Sequence, residues 1–97
     1  MKVGRIYSIT NILNGKQYIG QTAVSLEERF RMHCVDAKKD RNKDRKLYNA
    51  MNKYGYAAFN IEELEAVEDK RVLNLREIYW IEKLDTFNNG YNETKGG

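Results

Sequence analysis

The sequence predicts an α/β (α+β) domain, a small and mostly antiparallel sheet with helices packed against it. Three observations carry that prediction. An Asn14-Gly15 turn signal separates two stretches rich in β-branched and aromatic residues. Ser25, with Glu28 three positions on, opens an apolar stripe at helical spacing. The stretch "DKRVLNLREIYWIEKL", residues 69–84, is the clearest helix in the chain.

The elements follow in order. "RIYSITN" (5–11) and "KQYIGQT" (16–22) read as strands of one hairpin. A two-residue Asn-Gly loop pairs Leu13 with Lys16, and a four-residue loop, Asn11 to Asn14, sets Tyr7 directly opposite Tyr18. Both registers put the two tyrosines on one face, because side chains alternate along a strand. "SLEERFRMHCVDAKK" (25–39) is a helix with Leu26, Phe30, Cys34 and Ala37 on its apolar side and Arg29 and His33 on the flank. "KLYNAMNKYG" (46–55) is a second, with Leu47, Ala50, Met51 and Tyr54 on one side and Gly55 as its stop. "AFNIEELEAV" (58–67) alternates loosely and reads as a third strand, with its glutamates leaving a helix open. The tail "NNGYNETKGG" is turn-rich with an apolar anchor at Tyr91.

Ninety-seven residues, 41% of them hydrophobic and 32% charged, allow one packed domain and argue against disorder. No apolar run is long enough to span a bilayer, and "MKVGRIYS" lacks the apolar core of a signal peptide. A single cysteine, Cys34, builds neither an internal disulfide nor a cysteine-rich zinc site. A soluble, intracellular chain that makes no membrane contact is expected. The net charge of +3 is uneven. Residues 29–46 hold eight basic side chains against three acidic, a net of +5, and residues 62–82 hold a net of −4. The basic segment suits a polyanion such as a nucleic-acid backbone. Its candidates are Arg29, Lys38, Lys39, Arg41, Lys43, Arg45 and Lys46.

One residue breaks the local pattern. Glu77 lies four after Leu73 and four before Ile81, on the stripe that should be buried. A carboxylate there needs a partner, either a basic side chain or a hard divalent cation, unless it reaches water at the stripe edge.

Together these residues resemble the GIY-YIG nuclease domain, in particular the catalytic domain of phage and intron homing endonucleases. "IY" at 6–7 stands for the end of the first signature and "YIG" at 18–20 for the second, in the family's spacing. Arg29 follows on the first helix, Glu77 stands in "LREIYWIEKL", and "NGYN" ends with Asn92. The first signature departs from the pattern, with Arg5 before Ile6 and Gly4 one position early. The resemblance implies a three-stranded antiparallel sheet flanked by three main helices, and the four-residue register with Tyr7 beside Tyr18.

The resemblance also implies a catalytic set of Tyr7, Tyr18, Arg29, His33, Glu77 and Asn92. Tyr7 is then the general base and Tyr18 positions water or phosphate. Arg29 holds a phosphate oxygen, Glu77 binds one Mg²⁺ or Mn²⁺, and Asn92 orients a phosphate or Tyr18. His33, Lys43 or Tyr48 assists Tyr7. Double-stranded DNA is the expected substrate, cut to 5′-phosphate and 3′-hydroxyl ends by a monomer or a transient dimer on DNA. The chain is expected to be one catalytic domain, the N-terminal part of a longer protein. Residues 93–97 would begin a linker to a separate DNA-binding domain. A non-catalytic nucleic-acid-binding module of the same fold is the alternative, and a protein-interaction domain whose tyrosines are core packing is a second.

Overall fold

The computed structural model describes residues 2–96. Strands β1 (Gly4–Asn11), β2 (Gln17–Thr22) and β3 (Phe59–Val67) form one antiparallel sheet in the order β2-β1-β3. Helices α1 (Leu26–Ala37) and α2 (Lys46–Tyr54) cover one face, α3 (Lys70–Leu84) covers the other, and a short α4 (Thr86–Asn89) follows. β1 is central and sandwiched, so it is buried on both faces and shows no clean alternation. Tyr7 and Ile9 pack toward α1 and α2 with Met51 and Phe59, and Ile6 packs toward α3 with Ile19, Val67 and Ile81.

The hairpin takes neither of the two expected registers. Its loop has four residues, but they are Ile12–Gly15, not Asn11–Asn14. Asn11 N–H donates to the Lys16 carbonyl (2.9 Å). Tyr7 therefore faces Gly20, and Tyr18 faces Ile9. The tyrosines share a face but stand offset by one rung, ring centroids 6.4 Å apart. Two features select this register. Gly15 supplies the positive φ of 78° that the loop requires, and the Asn11 side chain accepts the Leu13 N–H at 2.9 Å. Across the strand, Gly20 leaves room for the Tyr7 ring, since a Cβ there would stand 2.6 Å from Tyr7 Cζ.

At the start of α1 only half of the capping box forms. Ser25 Oγ accepts the Glu28 N–H (3.1 Å), but the Glu28 carboxylate turns to Arg31 (2.5 Å), whose charge outcompetes a backbone N–H. On α2, Tyr48 is buried instead of Tyr54, and Gly55 ends the helix at φ 87°. The early Gly4 has a packing role, because a Cβ there would lie 2.8 Å from Leu73 Cδ2 on α3. Arg5, in the family's glycine position, reaches Glu63 across the sheet at 2.8 Å.

Residues 93–96, expected as linker, lie against the domain. Glu93 accepts the Lys46 N–H (3.0 Å), and Gly96 packs on Ile78 and Ile81. Gly97, the last residue of that expected linker, is outside the described residues.

Candidate active site

The site is built where the hairpin meets α1. Tyr7 is fully buried, and its hydroxyl is held from two sides. Arg29 Nε donates to it at 3.2 Å, and His33 Nε2 lies 2.7 Å away. Arg29 and His33 are one turn apart on α1, so a single helix face presents both to β1. His33 is not on an exposed flank. It is 1% exposed, with its second nitrogen, Nδ1, 2.9 Å from the Tyr48 hydroxyl on α2. The Tyr18 ring stands edge-on to His33, centroids 5.5 Å apart. The chain therefore runs Arg29, Tyr7, His33, Tyr48 across three elements.

Burial sets the charges here. It raises the Tyr7 hydroxyl well above the ordinary tyrosine value. The neighbouring Tyr18 adds to that rise, and Arg29 only partly offsets it. Tyr18 is raised as well, by burial, with Arg29 opposing and the Glu77 carboxylate adding to the rise. His33 is lowered to about 4, first by burial and then by the Arg29 charge, so its imidazole is neutral near pH 7.

An open cleft of about 240 Å³ adjoins this chain. Tyr18, Arg29, His33, Arg45, Tyr48 and Asn92 line it together with the carboxylates of Asp36 and Glu93, the latter 3.8 Å from Arg45. Tyr7, fully buried, is not part of the lining. Glu77 is half-buried on α3, outside that lining, yet near enough for its charge to oppose ionisation of Tyr18. Among the described residues no cluster of three metal-ligating side chains occurs. A carboxylate beside the cleft fits Mg²⁺ or Mn²⁺, which take one or two protein carboxylates and fill the remaining positions with water and substrate phosphate.

Asn92 does not point to the cleft as a free amide. Its Oδ1 accepts the Ile19 N–H (2.8 Å) and its Nδ2 donates to the Ile19 carbonyl (2.9 Å). One side chain thus imitates a neighbouring strand on the edge of β2 and fixes the residue next to Tyr18. Tyr91 N–H bonds the Gln17 carbonyl (2.9 Å) in the same way, and the Tyr91 hydroxyl takes the amides of Asn11 (3.2 Å) and Asn14 (3.3 Å).

The predicted basic residues separate. Arg29 and Arg45 reach the cleft, and Lys46 lies beside it in a second hollow. Lys39 and Lys43 are paired with Asp36 (3.0 Å) and Asp40 (2.9 Å). Lys38 sits over the Tyr56 ring, and Arg41 is exposed on a short 3-10 turn, Asp40–Asn42. Of the three candidates to assist Tyr7, His33 touches it and Tyr48 touches His33, whereas Lys43 is exposed and paired elsewhere. Gly20 is the residue that the sequence reading passed over. A glycine inside a strand signals close approach, and here the approaching group is the Tyr7 ring.

Residues 3–92 match the GIY-YIG catalytic domain model. The chain belongs to the GIY-YIG catalytic domain family. Over 93 residues this GIY-YIG domain is 39% identical to intron-associated endonuclease 1 of Enterobacteria phage T4, covering 95% of this chain and 37% of that protein. It is 40% identical over 68 residues to the uncharacterized protein 019R of Invertebrate iridescent virus 6, covering 70% of this chain and 24% of that protein. The chain thus spans well under half of either relative. Its fold matches the catalytic domain of the intron endonuclease I-TevI, in a mutant form, with a TM-score of 0.85 and 34% identity over 100% of this chain and 98% of that one. The catalytic domain of homing endonuclease I-TevI also matches, with a TM-score of 0.80 and 34% identity over 94% and 98%. The GIY-YIG fold expected from the sequence, three antiparallel strands flanked by helices, is the fold observed. The chain is a nuclease domain of the homing-endonuclease kind. Among the described residues no helix is long and apolar enough to cross a membrane.

Proposed function

We propose that the domain hydrolyses a phosphodiester bond of double-stranded DNA, one strand per site, to leave 5′-phosphate and 3′-hydroxyl ends. The Tyr7–His33 hydrogen bond of 2.7 Å beside the Arg29-lined cleft carries this reading. Tyrosine is a poor base at an ordinary pKa of about 10, and burial makes Tyr7 poorer still. A neutral His33 resolves the difficulty. The Tyr7 hydroxyl donates to Nε2, and Nδ1–H donates to Tyr48. The attacking water then passes its proton to the Tyr7 oxygen while the Tyr7 proton moves to Nε2. The negative phosphate at the cleft favours the resulting imidazolium.

Arg29 exchanges Tyr7 for a non-bridging phosphate oxygen, a task its planar fork suits, and so uncovers the Tyr7 hydroxyl. Tyr18 positions the water or the phosphate. Asn92 acts at one remove, by holding Ile19 and hence Tyr18 in place. Glu77 would hold one Mg²⁺ or Mn²⁺, which supplies Lewis-acid stabilisation of the leaving 3′ oxygen. Within one chain there is one such site, so nicking is the elementary event and a double-strand cut needs a second chain or a second nick. The length of the phage relative beyond its match leaves room for a separate DNA-binding module that selects the target.

Nicking of supercoiled plasmid with Mg²⁺, Mn²⁺ or EDTA tests the reading, beside a Glu77→Ala control checked for fold by circular dichroism. Metal-dependent nicking that vanishes in the folded variant is the expected result. DNA binding with no nicking by either protein, including after fusion to an unrelated DNA-binding domain, would favour a non-catalytic binding module.

A further inference from the structure

Beside the cleft, and sharing Tyr91 with it, lies a second hollow of about 400 Å³. Lys16 of the hairpin and Lys46 and Lys53 of α2 line it, and no carboxylate does. Lys46, Asn49, Ala50 and Lys53 follow the spacing i, i+3, i+4, i+7, so they form one face of α2. Among the described residues no ammonium group of these three lysines is ion-paired with a carboxylate, although the Lys46 backbone N–H donates to Glu93 and the Lys46 and Lys53 ammonium groups lie over the Phe87 and Tyr54 rings, whereas Lys39 and Lys43 of the predicted basic segment are both ion-paired. Like charges gathered round one hollow repel, and an anion relieves the repulsion. Seven residues of helix span about 10 Å, which is about three nucleotides of one strand at about 3.4 Å each. The Asn49 amide on the same wall is of the type that donates to phosphate and sugar oxygens.

We propose that the hollow formed by Lys16, Lys46 and Lys53 is the track for the phosphodiester backbone of the DNA strand on one side of the scissile phosphate. The inference rests on the nuclease reading; of the expected backbone segment 38–46 it keeps Lys46, and it shifts the rest of the contact to the face made by α2 and the hairpin. Arg45 and Lys46, adjacent in sequence, join cleft to track.

The test uses the 97-residue chain at low salt. Fluorescence anisotropy with a labelled 30-base-pair duplex is measured across a salt series, beside plasmid-nicking kinetics. The double variant Lys16→Gln/Lys53→Gln is compared with the charge-matched Lys70→Gln/Lys83→Gln on α3. The expected result for the track variant is about tenfold weaker binding, a salt slope shallower by about two, a raised KM and an unchanged kcat. A loss no greater than that of the α3 control, from a wild-type chain that binds and nicks, would overturn the track and leave the nuclease reading standing. A wild-type chain that neither binds nor nicks DNA, alone or fused to a DNA-binding domain, would overturn both.

Discussion

The Tyr7 hydroxyl lies 2.7 Å from His33 Nε2, and both side chains are buried in the nuclease domain. The neutral imidazole and the protonated phenol are the matched states for that bond. Burial enforces both, because it disfavours phenolate and imidazolium alike.

Stability should therefore depend on pH through His33. Its folded pKa, about 4, is below the unfolded value of about 6.5. The unfolded chain binds the extra proton between these values, so stability is full above about pH 6.5 and falls as pH drops toward 4. The span is worth about 3 kcal/mol. Melting temperatures from pH 7 to pH 4 should fall more steeply in the wild type than in His33→Gln, and parallel curves would refute the assignment. The same variant should lose kcat by about 10²-fold or more, because Tyr7 loses its proton acceptor.

Tyr48→Phe removes the group that holds His33 Nδ1. The nitrogen is left buried and unpaired, at a cost of about 1–3 kcal/mol. Nicking kinetics should show a lower kcat with KM little changed. Equal kcat in wild type and Tyr48→Phe would show that Tyr48 only fills space.

Asn92→Ala strips both hydrogen bonds from the Ile19 backbone. The expected cost is about 2–4 kcal/mol, a drop in Tm on the order of 10–20 °C for a domain of this size. Activity at low temperature should fall less than in His33→Gln, since the amide acts by holding β2. Thermal denaturation followed by circular dichroism, with nicking at 15 °C, separates the two effects.

Gly20→Ala drives a methyl group into the Tyr7 ring. Overpacking of this kind costs about 1–3 kcal/mol and displaces the hydroxyl from His33. Tyr7→Phe should not rescue the stability, because a ring carbon at 2.6 Å still collides when the hydroxyl is gone. Recovery of wild-type Tm in the double variant would show that the hydroxyl alone makes the contact.

Much of the fold is local enough to read from residues. Asn14-Gly15 marks the hairpin, Ser25 caps α1, Gly55 stops α2, and the apolar spacing of 69–84 makes a helix. The candidate site residues were named as a set of types at given spacings. Their partners were not. Asn92 was expected to face phosphate or Tyr18, and it binds backbone 73 residues away. His33 was expected on a flank, and α2 closes over it. Lys39 and Lys43 counted toward a basic segment, and neighbouring aspartates neutralise them.

By itself the sequence determined which segments become strand and helix, because capping, turn chemistry and apolar periodicity act over a few residues. It also determined that Tyr7 and Tyr18 share one face of the sheet, since side chains alternate along a strand. Only the tertiary structure decided the hairpin register, the burial that keeps Tyr7 protonated and His33 neutral, and which lysines are held in ion pairs. Those depend on the shape and charge of groups brought together from distant positions, as when the Tyr7 ring crosses Gly20 and α2 seats Tyr48 on His33.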